Sequence, residues 1–284
     1  MKPSDMLGSA ARRLADAGVD SPRVDAELLL ASVLGVTRGR LLTVVTVPDD
    51  VAVRFGTLVD QRADRVPLQH LTGRAPFRFL ELAVGPGVFV PRPETEQLAG
   101  WAIDRLAGAA TPSVVDLGSG SGALALSIAH ELPAARVVAV ERDPGAIEWT
   151  RHNAAARAAA GDPPVEVLSG DMTDPLLLRE LDGTVDLVVS NPPYVPDGAV
   201  VPREVADHDP PLALWGGPDG LDVVRGLLVT AARLLRPGWW LGIEHADQQG
   251  SALPALVRAH GAFTDVADHP DLAGRPRFTT ACRL

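Results

Sequence analysis

Val114-Val115-Asp116-Leu117-Gly118-Ser119-Gly120-Ser121-Gly122-Ala123 is an apolar run that breaks into three alternating glycines and resumes as the alanine- and leucine-rich stretch Ala123–Glu131. The pattern reads as a buried strand, a tight turn and a helix. Glycine is needed where the backbone takes a positive φ or where a ligand approaches the main chain closely. At the top of a parallel sheet such a turn forms the ligand crevice of doubly wound folds. The spacing also satisfies G-x-G-x-x-G/A, with Ala123 as the last small residue. The loop therefore points to a nucleotide-like ligand without separating a nicotinamide cofactor from S-adenosylmethionine.

Strands and helices alternate outward from this stretch. Strands are expected at Val114–Leu117, Val137–Val140, Val165–Leu168, Val185–Ser190 and Trp239–Glu244, with a C-terminal pair near Thr264–Val266 and Phe278–Cys282. Helices are expected at Ala123–Glu131, Pro144–Ala160 and Leu221–Leu235. This alternation implies a mostly parallel sheet covered by helices on both faces. Upstream, Met6, Leu7, Ala10, Leu14 and Ala17 recur at helical spacing within Ser4–Ala17. A second helix starts at Ser21-Pro22 and stops at Gly35, and a third runs from Asp49 or Asp50 to about Arg65. Residues 76–93, with Phe77, Phe79, Leu82 and Val84 ahead of Gly85-Pro86-Gly87, read as a β-hairpin linker. Pro91-Arg92-Pro93-Glu94-Thr95-Glu96 then opens a helix that ends near Leu106. The expected plan is a helical bundle over 1–75, a linker over 76–93 and a catalytic α/β domain over 94–284.

Two sites along the sheet add chemistry. Glu141 ends the second strand, 23 residues after Gly118, where an acid can accept hydrogen bonds from both ribose hydroxyls. An alternative role is a helix N-terminal charge near Asp143-Pro144. Asp171 and Met172 follow the third strand at the crevice edge, a place for contacts to adenine. The fourth strand, Asp186–Ser190, runs into Asn191-Pro192-Pro193-Tyr194. Two prolines remove two N–H donors and leave carbonyls as free acceptors. An amide or aromatic amino nitrogen is a poor nucleophile, because its lone pair is delocalised. Asn191 Oδ1 and the Pro192 carbonyl can accept its two hydrogens, orienting it and stabilising the developing positive charge. Tyr194, the only tyrosine, can stack on the planar group. With a sulfonium as methyl donor, positioning and electrostatics suffice. The seven histidines lack metal-ligand spacing, so no metal is expected.

The 284 residues carry a net charge of −10 and a single cysteine, Cys282, so no internal disulfide forms. Residues 91–284 hold the excess acid, with 15 basic and 26 acidic side chains. That balance argues against extended nucleic-acid binding, which draws its affinity from phosphate neutralisation. No apolar run approaches the ~18 residues of a membrane span. The N-terminus, with Asp5 and Asp16, is not a signal peptide, so a cytoplasmic location is expected.

The motifs as a set resemble the HemK/PrmC family, glutamine methyltransferases of class-1 peptide chain release factors. The resemblance covers nearly the whole chain. It runs through Pro67-Leu68-Gln69-His70-Leu71-Thr72-Gly73, Val90-Pro91-Arg92-Pro93-Glu94-Thr95-Glu96, Asp116–Gly122 and Asn191-Pro192-Pro193-Tyr194. It continues through Asp219-Gly220-Leu221, Glu244-His245 and Gln249-Gly250. Asn-Pro-Pro-Tyr alone is shared with DNA and RNA amino-methyltransferases, whereas the ordered set is specific. The resemblance implies a five-helix N-terminal domain, a hairpin linker and a Rossmann-like S-adenosylmethionine-dependent methyltransferase domain with a seven-stranded sheet. The implied cofactor contacts are Asp116, Gly118, Ser119, Gly120, Ser121, Gly122, Glu141, Asp171, Met172 and Asn191. Asn191, Pro192, Pro193 and Tyr194 would hold the glutamine of a Gly-Gly-Gln loop in translation termination. Two positions depart from the family's habit: Glu141 stands where Asp is frequent, and Met172 where an aromatic is frequent. The implied partner is a release factor, with no direct nucleic acid, no membrane and a monomeric enzyme. The rival readings are a nucleic-acid amino-methyltransferase, a nicotinamide-dependent oxidoreductase and a non-catalytic binding module.

Overall fold

The computed structural model describes all 284 residues, in two compact units. One comprises Met1–Arg74, Val84–Pro86 and Val201–His208; the other comprises Ala75–Ala83, Gly87–Val200 and Asp209–Leu284.

The first unit is built on α1 (Pro3–Asp16), α2 (Pro22–Leu34), α3 (Asp49–Ala63) and the short α4 (Leu68–Thr72), with a 3-10 turn at Arg38–Thr43. Residues 1–73 thus hold four α-helices and one 3-10 helix, and the unit also takes in the helix at Arg203–His208. Pro22 occupies the first turn of α2, and Gly35 at φ 65° ends it in the left-handed region that glycine adopts without strain. Leu14, Leu29, Leu30, Phe55 and Val59 meet in the core. Within it, Arg62 Nε donates to Asp25 at 2.7 Å, and its Nη1 donates to Glu204 at 2.8 Å and to the Val66 carbonyl at 2.9 Å. Burial lowers the Arg62 pKa, but hydrogen bonds to these two carboxylates outweigh it and hold the guanidinium charged.

The second unit opens with a hairpin of β1 (Arg74–Phe77, continuing from the first unit) and β2 (Leu80–Ala83), followed by α5 (Thr95–Leu106). The units β3 (Ser113–Leu117), α6 (Ala123–Glu131), β4 (Arg136–Glu141), α7 (Pro144–Ala159), β5 (Glu166–Ser169) and β6 (Val185–Ser190) come next. After α8 (Arg203–His208) and α9 (Pro211–Leu214) the chain completes α10 (Asp222–Leu234), β7 (Leu235–Glu244), α11 (Ala252–His260), β8 (Phe263–Pro270) and β9 (Pro276–Arg283). The sheet order is β5-β4-β3-β6-β7-β9-β8; β3 to β7 pair in parallel and β9 runs antiparallel to both neighbours. This is the expected mostly parallel seven-stranded α/β fold.

Alternate residues of the strands feed two cores. Val114, Val137, Leu187 and Val189 pack with α5 and α6, while Val115, Val138, Val188 and Ile243 pack with α10 and α11. Both faces are apolar because both are covered by helices. The hairpin is more than the expected connector: Phe77, Leu80 and Leu82 are buried in the first of these cores beside Leu98 and Ala102. Asn153 of α7 ties it down, accepting from Ala83 N–H at 2.8 Å and donating to its carbonyl at 3.0 Å.

Candidate functional site

The chain leaves β3 through Gly118, Gly120 and Gly122 at φ 83°, 56° and 87°, a sequence of left-handed residues that side chains strain to adopt. The N–H groups of Gly118 and Ser119 both donate to the Val140 carbonyl, at 2.8 and 3.0 Å, fastening the loop to β4. A Cβ at Gly118 would lie 2.6 Å from Met172 Cε and 4.0 Å from the Asn191 carbonyl oxygen. The glycine loop, Met172 and the start of the Asn-Pro-Pro-Tyr segment therefore converge at the carboxyl edge, where β3 separates β4 from β6 and connections diverge. That is the ligand crevice of a doubly wound sheet.

The side chains expected to touch a cofactor fall into two groups. Glu141 lies at the crevice. Its Oε2 accepts from Gly120 N–H at 2.9 Å, and its Oε1 accepts from the N–H groups of Arg142 and Asp143 at 2.8 and 2.9 Å. A carboxylate offers about four acceptor positions, so room remains for one further hydroxyl unless Gly120 yields. The alternative capping role belongs to Asp143, whose Oδ1 accepts from Gly145 and Ala146 N–H at the start of α7. Asp171 accepts from the Thr173 N–H and hydroxyl and from Arg142. Burial raises its pKa, but these hydrogen bonds outweigh it and keep the carboxylate ionised.

Three further residues expected at the cofactor turn their side chains into the protein. Asp116 is wholly buried, and its Oδ2 accepts from Ala125 N–H at 3.1 Å. Burial pushes its carboxyl up to about 7. The Ser119 hydroxyl pairs with Thr150 at 3.2 Å, and Ser121 is buried with its carbonyl bound by Asn153 at 2.9 Å. These groups shape the loop from below.

At the end of β6, Asn191 Nδ2 donates to Thr95 Oγ1 at 3.2 Å, leaving Oδ1 as an acceptor. The Tyr194 hydroxyl donates to Glu244 Oε1 at 3.3 Å, anchoring the phenol to the end of β7. Burial pushes the Tyr194 pKa further up, so it remains a neutral phenol. The backbone of the motif is clamped. Gln249 Nε2 donates to the Tyr194 carbonyl at 3.1 Å and to the Asp219 carbonyl at 3.2 Å. Gly216 N–H donates to the Val195 carbonyl at 2.9 Å. Gly220, at φ 75°, passes so close that a Cβ would lie 2.2 Å from the Tyr194 carbonyl oxygen. Pro192 is buried at the end of the strand, next to Asn191.

Known proteins similar to this chain identify its family. The PrmC N-terminal domain model matches residues 5–73, and the methyltransferase small domain model matches residues 81–207. A release factor glutamine methyltransferase of Streptomyces coelicolor is 52% identical over 280 residues, 97% of this chain and 96% of that protein. The chain belongs to the release factor glutamine methyltransferase family. A second member, from Mycolicibacterium smegmatis, is 52% identical over 98% of this chain and 96% of its own. Among solved structures, a T. thermophilus 16S rRNA N2 G1207 methyltransferase shares the fold at TM-score 0.52 and 24% identity, over 74% of this chain and 50% of that one.

Several parts of this family member's site carried no assigned role in the sequence. Thr95, Glu244, Gln249 and Arg277 surround the Asn-Pro-Pro-Tyr segment, and the first three lie inside segments that carry the resemblance. Arg92 Nη2 donates to Asp209 at 2.9 Å and its guanidinium covers the Phe89 ring. Glu96 Oε1 accepts from Arg78 N–H at 3.0 Å. The Arg92–Glu96 stretch thus contributes one site residue, Thr95, among structural contacts. His245 is a strand-end residue, with Nε2 paired to Asp268 at 2.8 Å. No helix is long and apolar enough to cross a membrane, and no cluster of three or more His, Cys, Asp or Glu is assembled to hold a metal ion.

Proposed function

We propose that this chain transfers the methyl group of S-adenosylmethionine to the side-chain amide nitrogen of the glutamine in the Gly-Gly-Gln loop of a class-1 peptide chain release factor. The observation that carries the reading is Asn191 at the lip of the glycine-loop crevice, its Nδ2 engaged by Thr95 and its Oδ1 left to accept.

The residues present suit the methyl donor. Three left-handed glycines leave no side chain over the loop, and Met172, packed on Gly118, offers an apolar and polarisable surface for a purine. Glu141 and Asp171 supply carboxylates for ribose and adenine. When bound, S-adenosylmethionine supplies an electrophilic methyl on sulfur, and the C–S bond breaks as the N–C bond forms. Asn191 and Pro192 each accept one hydrogen of the glutamine amide, which points the nitrogen lone pair towards the methyl. As positive charge develops on that nitrogen, the two fixed acceptors stabilise it without reorganising. The proton then leaves to solvent. Tyr194, its hydroxyl held by Glu244, presents its ring to the planar amide. The helical unit recognises the body of the factor, and the enzyme works as a monomer on its protein substrate.

Mixing the protein with labelled S-adenosylmethionine and unmethylated factor, then mapping the label by mass spectrometry, tests the reading. One methyl on the Gly-Gly-Gln glutamine is the expected result. Label on nucleic acid and none on the factor would overturn it. Glu141→Ala bears on the cofactor side. A hydrogen bond to a charged group contributes about 1.5–3 kcal/mol, so titration calorimetry should show cofactor affinity weakened on the order of 10-fold to 100-fold. Unchanged affinity would remove Glu141 from the site.

A further inference from the structure

We propose that Gln249 is a positioning residue for methyl transfer: its amide clips the Tyr194 carbonyl to the turn after β7 and so fixes the ring against which the substrate amide lies. This rests on the reading of Asn191–Tyr194 as the segment that holds the substrate.

The segment has few means of anchoring itself. Pro192 and Pro193 have no N–H, so neither can be fastened by donating. The next point along the chain is Tyr194, and Gln249 takes its carbonyl. Gln249 Nε2 donates there at 3.1 Å and to the Asp219 carbonyl at 3.2 Å. One amide nitrogen thus uses both hydrogens to join the segment to the Asp219-Gly220 turn. Gly216 N–H, donating to the Val195 carbonyl at 2.9 Å, continues the anchoring one residue on.

The orientation of that amide is not free. A glutamine can present its oxygen or its NH2 to a given side, and the surrounding network chooses. Oε1 accepts from the Ala246 N–H at 3.0 Å, a group that can only donate. With the oxygen placed there, the NH2 faces two carbonyls, which can only accept. The base of the clip is fixed as well. The Gln249 N–H donates to the Ala246 carbonyl at 2.9 Å, and Gly250 lies so close to β9 that a Cβ would come within 2.4 Å of Pro276 Cβ. Gln249 is buried, where a lost hydrogen bond is not simply replaced by one to bulk water.

Tyr194 is therefore held at both ends. Its hydroxyl donates to Glu244 at 3.3 Å, and its carbonyl is taken by Gln249. The hydroxyl bond alone would let the phenol tilt about that point whenever the backbone shifted. The second bond fixes the peptide plane, and with it the plane of the ring. Gly220, at φ 75°, lets the clip close, since a Cβ there would lie 2.2 Å from the Tyr194 carbonyl oxygen and 2.7 Å from Gln249 Nε2. The bonds of Gln249 run to Ala246, Tyr194 and Asp219, not to the glycine loop. Its loss should misplace the substrate amide, where a shift of about 1 Å can cost on the order of 100-fold in rate, and leave the cofactor site intact.

The test uses Gln249→Met and Gln249→Glu in the full chain, with tyrosine carrying 13C at its carbonyl. Tyr194 is the only tyrosine, so the label gives one signal that needs no assignment. Gln249→Met should move that signal upfield, as for a carbonyl that loses a hydrogen bond. It should lower kcat and kcat/KM together on the order of 10-fold to 100-fold, with KM for the factor and cofactor affinity within about two-fold. Gln249→Glu supplies a rescue. The introduced carboxylate has no hydrogen to give, whereas its protonated form has one, and burial favours that form. Its rate relative to wild type should therefore recover as pH falls from about 8 to about 6, with the Tyr194 signal moving back. The proposal falls if Gln249→Met leaves the signal or kcat at the wild-type value, or if cofactor affinity falls as far as kcat. Where Gln249→Met does not fold, Gln249→Glu decides, and no recovery towards acid overturns the proposal. A wild-type enzyme that leaves the factor unlabelled defeats the assigned substrate instead, while the carbonyl signal and its pH recovery still answer for the clip.

Discussion

Asn191→Ala is expected to reduce methyl transfer by about 100-fold to 1,000-fold, the cost of deleting one fixed group that meets developing charge in other enzymes. The reasoning is local. Alanine removes an acceptor whose direction is set by Thr95, and the Pro192 carbonyl then holds one hydrogen of the substrate amide while the other is left unpaired. The nitrogen loses orientation and its positive charge loses one of two stabilising dipoles. The fold should survive, because Asn191 is only partly buried and the strand before it is held by ladders to β3 and β7. Single-turnover kinetics with saturating cofactor, together with thermal unfolding, measure both statements. Turnover near the normal rate would eliminate the acceptor mechanism.

The largest expected effect on stability lies elsewhere, at Arg62. Its side chain and that of Asp25 are 8% and 9% exposed. Arg62→Met would leave Asp25 buried without its cation and the Val66 carbonyl without its donor. Breaking a buried pair from one side costs about 3–5 kcal/mol, because the remaining charge is uncompensated. Native-state hydrogen exchange of the α1–α3 amides is the suitable measurement, since it reports on the helical unit within the intact chain. Protection there should fall, while amides of β3 and β6 keep theirs. The double variant Asp25→Leu/Arg62→Met should recover part of the loss, as it removes the stranded carboxylate. Wild-type protection in the single variant would mean that the cluster contributes nothing to the unit.

The order of elements was legible because each carries a local signal. Gly35 after a helical repeat, Pro22 and Pro144 in first turns, and apolar runs between glycine-rich turns depend on a few adjacent residues. The glycine loop and Asn-Pro-Pro-Tyr were legible for the same reason: their chemistry is written in consecutive positions. Elements that lack a period were missed. α8 and α9 have six and four residues, too short for a repeat to show, and the 3-10 turn at Arg38–Thr43 buries a single residue, Leu41. The hairpin read as a linker because its alternation is local, whereas the core that buries Phe77 and Leu82 comes from α5, α6 and β3.

By itself the sequence determined that a glycine turn follows a strand, that an acid ends the next strand and that an amide followed by two prolines ends the fourth. Only the tertiary structure decided that β9 inserts between β7 and β8, that Asp116 lies under the loop, and that Asn191 meets Thr95 from 96 positions away while Tyr194 meets Glu244 from 50. Backbone conformation follows from neighbours along the chain, but the partner of a buried polar group is chosen by packing. A hydroxyl or carboxylate shows its role only once burial removes water and leaves one protein group within reach.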